Sequence, residues 1–312
     1  MKRIFKKRSG NVDRRNRFVR FYPLFDLTGD RGPIEEMLSR YGITTFEERI
    51  KTLVLMINHP ETSRMVKREA FNTVLKDIKG VEHPDEVNET VWFTVLRLYR
   101  SKYLTSKDRA RLHETLSRII GDIGSDRVRM YYLFYDCEIT DNNSSFRKLF
   151  ALIKKLMKEK RFTVTDLSFT VMKLNKKSFT KNREKQTKKL VSLVDRFIRR
   201  ELENGNNDLV SKFANFTAFK KYVLRIASDR TVVTLLEVLL SRSNVEDQHD
   251  FWLRRFLIVL SSYEPRTRSS RIWNLLKKRR NVAPLIKRMN ERNKEVMEYI
   301  KVLFTCESDL LL

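Results

Sequence analysis

Turn formers, cysteine and long apolar runs are scarce in this sequence. Eight glycines and six prolines in 312 residues leave too few reversals for an all-β fold that turns about every ten residues, and no Gly-rich linker occurs. The two cysteines, Cys137 and Cys306, lie far apart, which excludes a secreted disulfide scaffold and favours a reducing compartment. No run approaches the ~18 apolar residues of a membrane span; the longest candidates are Val232–Leu240 and Phe256–Leu260. Nothing apolar follows the charged N-terminus at the length of a secretory signal. A soluble protein of the cytoplasm, the nucleus or the inside of a virus particle is therefore expected.

The chemistry of most enzyme classes is missing as well. The four histidines, His59, His83, His113 and His249, fall in no zinc spacing with each other or with cysteine. His59 and His83 each precede proline, so helix boundaries account for them. Neither a Gly-x-x-x-x-Gly-Lys loop, nor Gly-x-Gly-x-x-Gly, nor a Gly-x-Ser-x-Gly elbow occurs. Two acidic groups, Asp136/Glu138/Asp141 and Glu246/Asp247/Asp250, sit at predicted element ends, where acids cap helices more readily than they assemble a two-metal site. No cofactor and no metal are expected.

What the sequence does contain is aromatic bulk and positive charge. Twenty Phe, ten Tyr and three Trp supply a core, and 65 Lys+Arg against 39 Asp+Glu leave a formal charge of +26. That charge is segregated. Residues 1–20 carry +8, residues 145–200 carry +14 and residues 266–294 carry +10, so the remainder of the chain sums to −6. A solubilising surface mixes signs, whereas segments like these repel themselves unless an anion neutralises them. A polyanionic partner follows. Nucleic acid fits best, RNA ahead of DNA, with an anionic membrane surface and an acidic protein as the lesser alternatives.

Periodicity and caps predict an all-α protein of about twelve to fourteen helices in two lobes. The divisions are a basic arm over residues 1–22, an N-terminal lobe over 23–141 and a C-terminal lobe over 142–312, parted at the turn Asp141-Asn142-Asn143. Pro33 and the acids Glu35 and Glu36 start a first helix that Gly42 ends; Thr45 with Glu48 opens the next. Further helices are read over Thr62–Ile78, Val87–Tyr99 and Thr105–Ile120. The aromatic run Val128–Tyr135 suits a strand by composition but a helix by its neighbours, and is taken as helix. In the C-terminal lobe, residues 175–182 read as an exposed basic loop, Leu209–Ile226 as one helix, Thr231–Leu240 as a central apolar helix, and Ala283–Phe304 as the last.

The candidate binding residues follow from these faces. Lys148, Lys155 and Lys158, flanked by Arg147 and Lys154, lie opposite an apolar stripe of Phe146, Leu149, Phe150, Ile153, Leu156 and Met157. Lys181, Lys188, Arg196, Arg199 and Arg200 repeat the arrangement, and Arg268, Arg271, Lys277, Lys278, Arg279 and Arg280 form a third cluster around Trp273. Trp92 and Trp252 read as core, while the cations beside Trp273 make it the candidate for base stacking. Arg14, Arg15 and Arg17, interleaved with Phe18, Phe21 and Tyr22, suit an arm that contacts phosphate or a neighbouring copy. A mitochondrial presequence is the bland alternative, against which Asp13 and the shortage of Ser and Ala count.

Two resemblances bear on function. A helical, basic protein linked through a terminal arm is similar in class to the nucleocapsid proteins of negative-strand RNA viruses, with no motif matched residue by residue. That likeness implies a non-enzymatic nucleoprotein that grips the phosphate backbone of RNA or single-stranded DNA without sequence specificity, using a groove formed by the 147–200 helices and the 266–294 segment. A helical subunit of a larger nucleic-acid-processing or defence complex is the alternative. Separately, Arg242 and His249 resemble the Arg-x(4–6)-His pattern of HEPN ribonucleases, which implies a catalytic pair; here a turn and an N-cap account for the same residues.

Overall fold

The structure is a computed structural model and describes residues 34–280, other than 141, 181–182, 216, 244–248 and 261–265, together with residues 282, 284 and 287. The readings made for the N-terminal arm and for the helix Ala283–Phe304 fall largely or wholly outside these residues. Fifteen α-helices, one 3-10 turn and no strand occur among the described residues, so the protein is all-α. The chain divides into two compact units between Ile139 and Thr140.

The first unit holds α1 (Ile34–Arg40), α2 (Phe46–Asn58), α3 (Arg64–Lys79), α4 (Glu89–Arg97) with a 3-10 turn over Leu98–Arg100, α5 (Ser106–Ile119) and α6 (Asp126–Thr140). Side-chain oxygens start these helices where their sequence signals lie. Thr45 accepts from the Glu48 amide, Ser63 from Val66 and Thr105 from Asp108, whose carboxylate accepts in return from the Thr105 amide. At the other end of α1, Gly42 takes φ +66°, and the Ile43 amide reaches back 2.9 Å to the Leu38 carbonyl. A left-handed residue at this position is most cheaply glycine. The stretch read as ambiguous is helix throughout α6, burying Val128, Met130, Tyr132 and Phe134. Helix α2 packs on α3 and α4, and α3 also packs on α1 and α5, around Ile50, Leu53, Ile57, Phe71 and Trp92. The Trp92 indole donates to the Pro84 carbonyl at 3.2 Å, which satisfies its polar edge inside the core.

The second unit holds α7 (Asn143–Lys158), α8 (Val164–Leu174), α9 (Lys177–Thr180), α10 (Glu184–Glu203), α11 (Asn207–Asn215), α12 (Thr217–Ile226), α13 (Asp229–Ser243), α14 (His249–Leu260) and α15 (Arg266–Lys277). Helix α13 is the apolar centre: Val232, Val233, Leu235, Leu236, Leu239 and Leu240 are all buried, and it packs against α10, α14 and α15. Two expectations are corrected here. The segment 209–226 forms two helices that pack on each other, α11 and α12. The expected loop 175–182 contains α9, whose Phe179 is completely buried with its ring 5.8 Å from Phe146. Burying the ring offers about 1.5–3 kcal/mol of transfer free energy toward holding this short polar segment on the core.

Candidate nucleic-acid interface

Charge is distributed differently in the two units. Residues 34–139 carry seventeen basic and seventeen acidic side chains, whereas residues 140–280 carry 33 basic and 14 acidic, a net of +19. In the first unit many of the charges meet each other. Arg49 donates through Nε and Nη2 to both oxygens of Asp77 at 2.9 Å and through Nη2 to Glu35 at 2.9 Å. Arg40 pairs with Glu36, Arg118 with Glu114 and Arg127 with Glu89.

The second unit uses its acids in another way. The segment 145–200 has four, and two of them point inward. Asp166 is fully buried and closes the N-terminal cap of α8, accepting from the Thr163 amide at 2.9 Å and its hydroxyl at 2.8 Å. Asp195, 8% exposed, accepts from the Ser228 amide at 2.8 Å and hydroxyl at 2.7 Å, and so holds the chain entering α13. Only Glu159 and Glu184 remain as exposed acids in the segment. Against them stand fourteen exposed cations, among them Arg147, Lys148, Lys154, Lys155, Lys158, Lys188, Arg196 and Arg200. Lys173 and Arg183 are buried as well, so the exposed face keeps fourteen cations against two acids, a higher ratio of cations to acids than the eighteen to four of the whole segment.

These cations occupy two helical stripes. On α7, Phe146, Leu149, Ile153, Leu156 and Met157 are buried, and Arg147, Lys148, Lys154, Lys155 and Lys158 recur at the spacing of the opposite face. On α10, Leu190, Val194, Phe197, Ile198 and Leu202 are buried, while Lys185, Lys188, Lys189, Arg196 and Arg200 are exposed. The two helices pack together and run the same way. Gln186 near the start of α10 donates to Asn143 at the start of α7 at 3.4 Å, and Phe162 just past α7 meets Phe197 near the end of α10 with ring centroids 5.1 Å apart. Arg199 is half-buried and reaches Glu203 at 3.9 Å; Arg200 reaches Glu201 at 3.3 Å. Lys181 lies outside the described residues, as do Arg14, Arg15 and Arg17.

One backbone feature coincides with this face. Helix α7 ends with the same hydrogen-bond pattern as α1 and α10, and those two use Gly42 and Gly205 at the left-handed position. In α7 that position is Lys160, with φ 57°, and the next amide, Arg161, bonds back to Leu156 at 2.9 Å. Lys160 is the one non-glycine with positive φ among the described residues, and the conformation costs a side-chain-bearing residue on the order of 1 kcal/mol. The chain keeps an exposed lysine where glycine is less strained. Nothing in the spacing of residues marks this position beforehand.

The third cluster joins the same unit through α13. Arg271 of α15 forms an ion pair with Asp229, the first residue of α13, directly after the Ser228 held by Asp195. Lys277, Lys278, Arg279 and Arg280 are exposed in succession at the end of α15, and Arg268 lies on this helix. Trp273 is 7% exposed, Ile272 and Leu276 on the same helix are buried, and Lys277 lies 5.9 Å from the Trp273 ring centroid. Trp252 is likewise buried, at 8%.

Arg242 has partners of its own, since its guanidinium donates to Asn207 and lies 5.1 Å from the Trp252 ring centroid. Residues 244–248 and the His249 side chain are outside the description, and the Arg242–His249 pairing with them. Of the first acidic group, Asp136 contacts His113 at 3.3 Å, and His113 in turn stacks on Tyr132 at 5.4 Å. No cluster of three metal-ligating side chains occurs among the described residues, and none of the described helices is long and apolar enough to cross a membrane. Comparison with protein-family models, with curated proteins and with solved structures gave no match for this chain.

Proposed function

We propose that this chain is a non-enzymatic nucleic-acid-binding protein that grips the phosphate backbone of RNA or single-stranded DNA without reading its sequence. The observation that carries this reading is the acid-poor face of α7 and α10: two of the four acids in residues 145–200, Asp166 and Asp195, are buried, while fourteen of the cations are exposed. Clustered lysines and arginines bind phosphates by releasing condensed counterions, a mechanism that needs charge density and no base contacts. The cations ending α15 extend the same chemistry. An arm bearing Arg14, Arg15 and Arg17 adds phosphate contacts or links neighbouring copies along the strand.

The test is charge reversal of Lys154, Lys155 and Lys158 to Glu, with affinity for single-stranded RNA measured across a salt series. Each lost phosphate contact removes about 0.7 from the slope of log affinity against log salt on a single strand, so the triple variant loses about 2 in slope. Affinity at low salt falls by about tenfold or more. Unchanged affinity and slope would overturn the assignment.

A further inference from the structure

The sequence places the stacking residue at Trp273, which is buried; the exposed aromatic lies elsewhere. Helix α14 buries Trp252, Leu253, Phe256 and Val259, leaves Phe251, Arg254 and Ile258 exposed, and half-buries Arg255 beside them. Those four follow the i, i+3, i+4, i+7 spacing of a single helical stripe. Phe251 is 40% exposed and Ile258 39%, and Phe251 is the one aromatic among the large exposed apolar side chains of the described residues. Together the four line an open cavity of about 510 Å³.

The ring is held rather than loose. Trp252 meets it edge-to-face at 5.0 Å, and the Arg255 guanidinium carbon lies 5.0 Å from its centroid. Arg242 in turn braces Trp252. Positive charge is crowded here: Lys220 of α12 is buried at 6% exposure, and burial followed by the charge of Arg255 pushes its ammonium below the usual lysine range. An anion placed beside Arg254 and Arg255 relieves that repulsion.

We infer that Phe251, Arg254, Arg255 and Ile258 form a base-stacking site for single-stranded nucleic acid, with a base on the Phe251 ring and its phosphates on the two arginines. The inference rests on the nucleic-acid-binding reading above and adds a preference to it. A single strand offers an unstacked π-face and a phosphate one nucleotide apart, matching an aromatic ring flanked by guanidinium groups. A duplex keeps its bases stacked inside and offers only the phosphates. Protein segments and second copies of the chain supply apolar groups, but they lack the regular anion beside each ring that two arginines here would meet.

The experiment uses the full chain, fluorescein-labelled oligouridine and an RNA duplex of the same length. Phe251→Ala is expected to weaken single-strand binding about tenfold, within the ~1–3 kcal/mol range for one stacked base, while leaving duplex affinity and the salt slope unchanged. Phe251→Trp restores single-strand binding, and 5-bromouridine in the oligonucleotide cross-links to the peptide containing Phe251. If Phe251→Ala leaves single-strand affinity unchanged while the Lys154/Lys155/Lys158 reversal still reduces it, the stacking site is wrong and backbone binding stands. If Phe251→Ala instead shifts the sedimentation coefficient or the melting temperature with affinity unchanged, the patch is a protein contact and the inference fails. If neither variant changes affinity, both readings fall together.

Discussion

The two units are built with the same tools, capping boxes and acid–arginine pairs among them, and differ in their balance of charge. Residues 34–139 are neutral; Glu35, Glu89 and Glu114 meet arginines or lysines in exposed or half-exposed pairs, and Asp77 meets Arg49 in a largely buried one. Residues 140–280 carry +19, and Asp166 and Asp195 are withdrawn to hold helix starts. An acid on the surface neutralises a neighbour; an acid used as an internal cap stabilises the fold and leaves the outer face cationic. Helical propensity is served equally by either arrangement, so it does not account for the difference.

Several changes sharpen or break that contrast. The largest effect is expected at Asp195. Asp195→Ala removes two hydrogen bonds to Ser228 and lowers stability by about 2–3 kcal/mol in urea denaturation. A rise in nucleic-acid affinity with unchanged stability would show that Asp195 acts as a surface charge after all. In the first unit, Arg49→Ala strands Asp77 and Glu35 and costs about 1–3 kcal/mol. Its RNA affinity should equal that of the wild type; a large loss would place the neutral unit at the interface.

Acid should act on the first unit through its caps and pairs. Burial pushes the Glu35 carboxyl up, but hydrogen bonds from Arg49 and Lys76 outweigh it and hold the group below its ordinary value. Asp108 is lowered in the same way, burial being outweighed by the hydroxyl and amide of Thr105. A carboxyl whose folded value lies below its unfolded one stabilises the fold above the unfolded value, about pH 4, and loses that contribution as pH falls through the folded one. Near-ultraviolet circular dichroism followed below about pH 4 should therefore show less acid sensitivity in the double variant Glu35→Gln, Asp108→Asn. An identical acid profile would assign the loss to other groups. The smallest effect is expected at Lys160: Lys160→Gly should raise stability by about 0.5–1 kcal/mol and weaken RNA binding a few-fold. Greater stability with full affinity would remove Lys160 from the face.

Much of the fold was legible because helix ends announce themselves locally. Thr45 and Thr105 cap where a hydroxyl precedes an apolar period, and Gly42 closes the helix it follows; Ser63 caps one residue after the expected start at Thr62. The basic stripes of α7 and α10 were legible for the same reason, since each is written within one helix. What was hidden depends on neighbours distant in sequence. Phe179 sits in a run of lysines and polar residues, yet Phe146 lies 5.8 Å away to bury it. Trp273 and Phe251 both stand among cations, and only the packing of α15 and α14 on α13 decides that one ring is covered and the other open. Asp195 reads as one more helix-surface acid until Ser228, 33 residues on, arrives to be capped.

The central claim is that a particular face, rather than net charge, binds the ligand. It is tested most directly by two triple reversals with the same change in charge, Lys154/Lys155/Lys158 to Glu on α7 and Arg64/Lys79/Lys107 to Glu on the neutral unit, all six side chains being exposed. Single-stranded RNA affinity is titrated against salt for both. The account predicts a slope lower by about 2 and at least a tenfold loss for the α7 variant, with the other close to wild type. Equal losses in the two variants would contradict it.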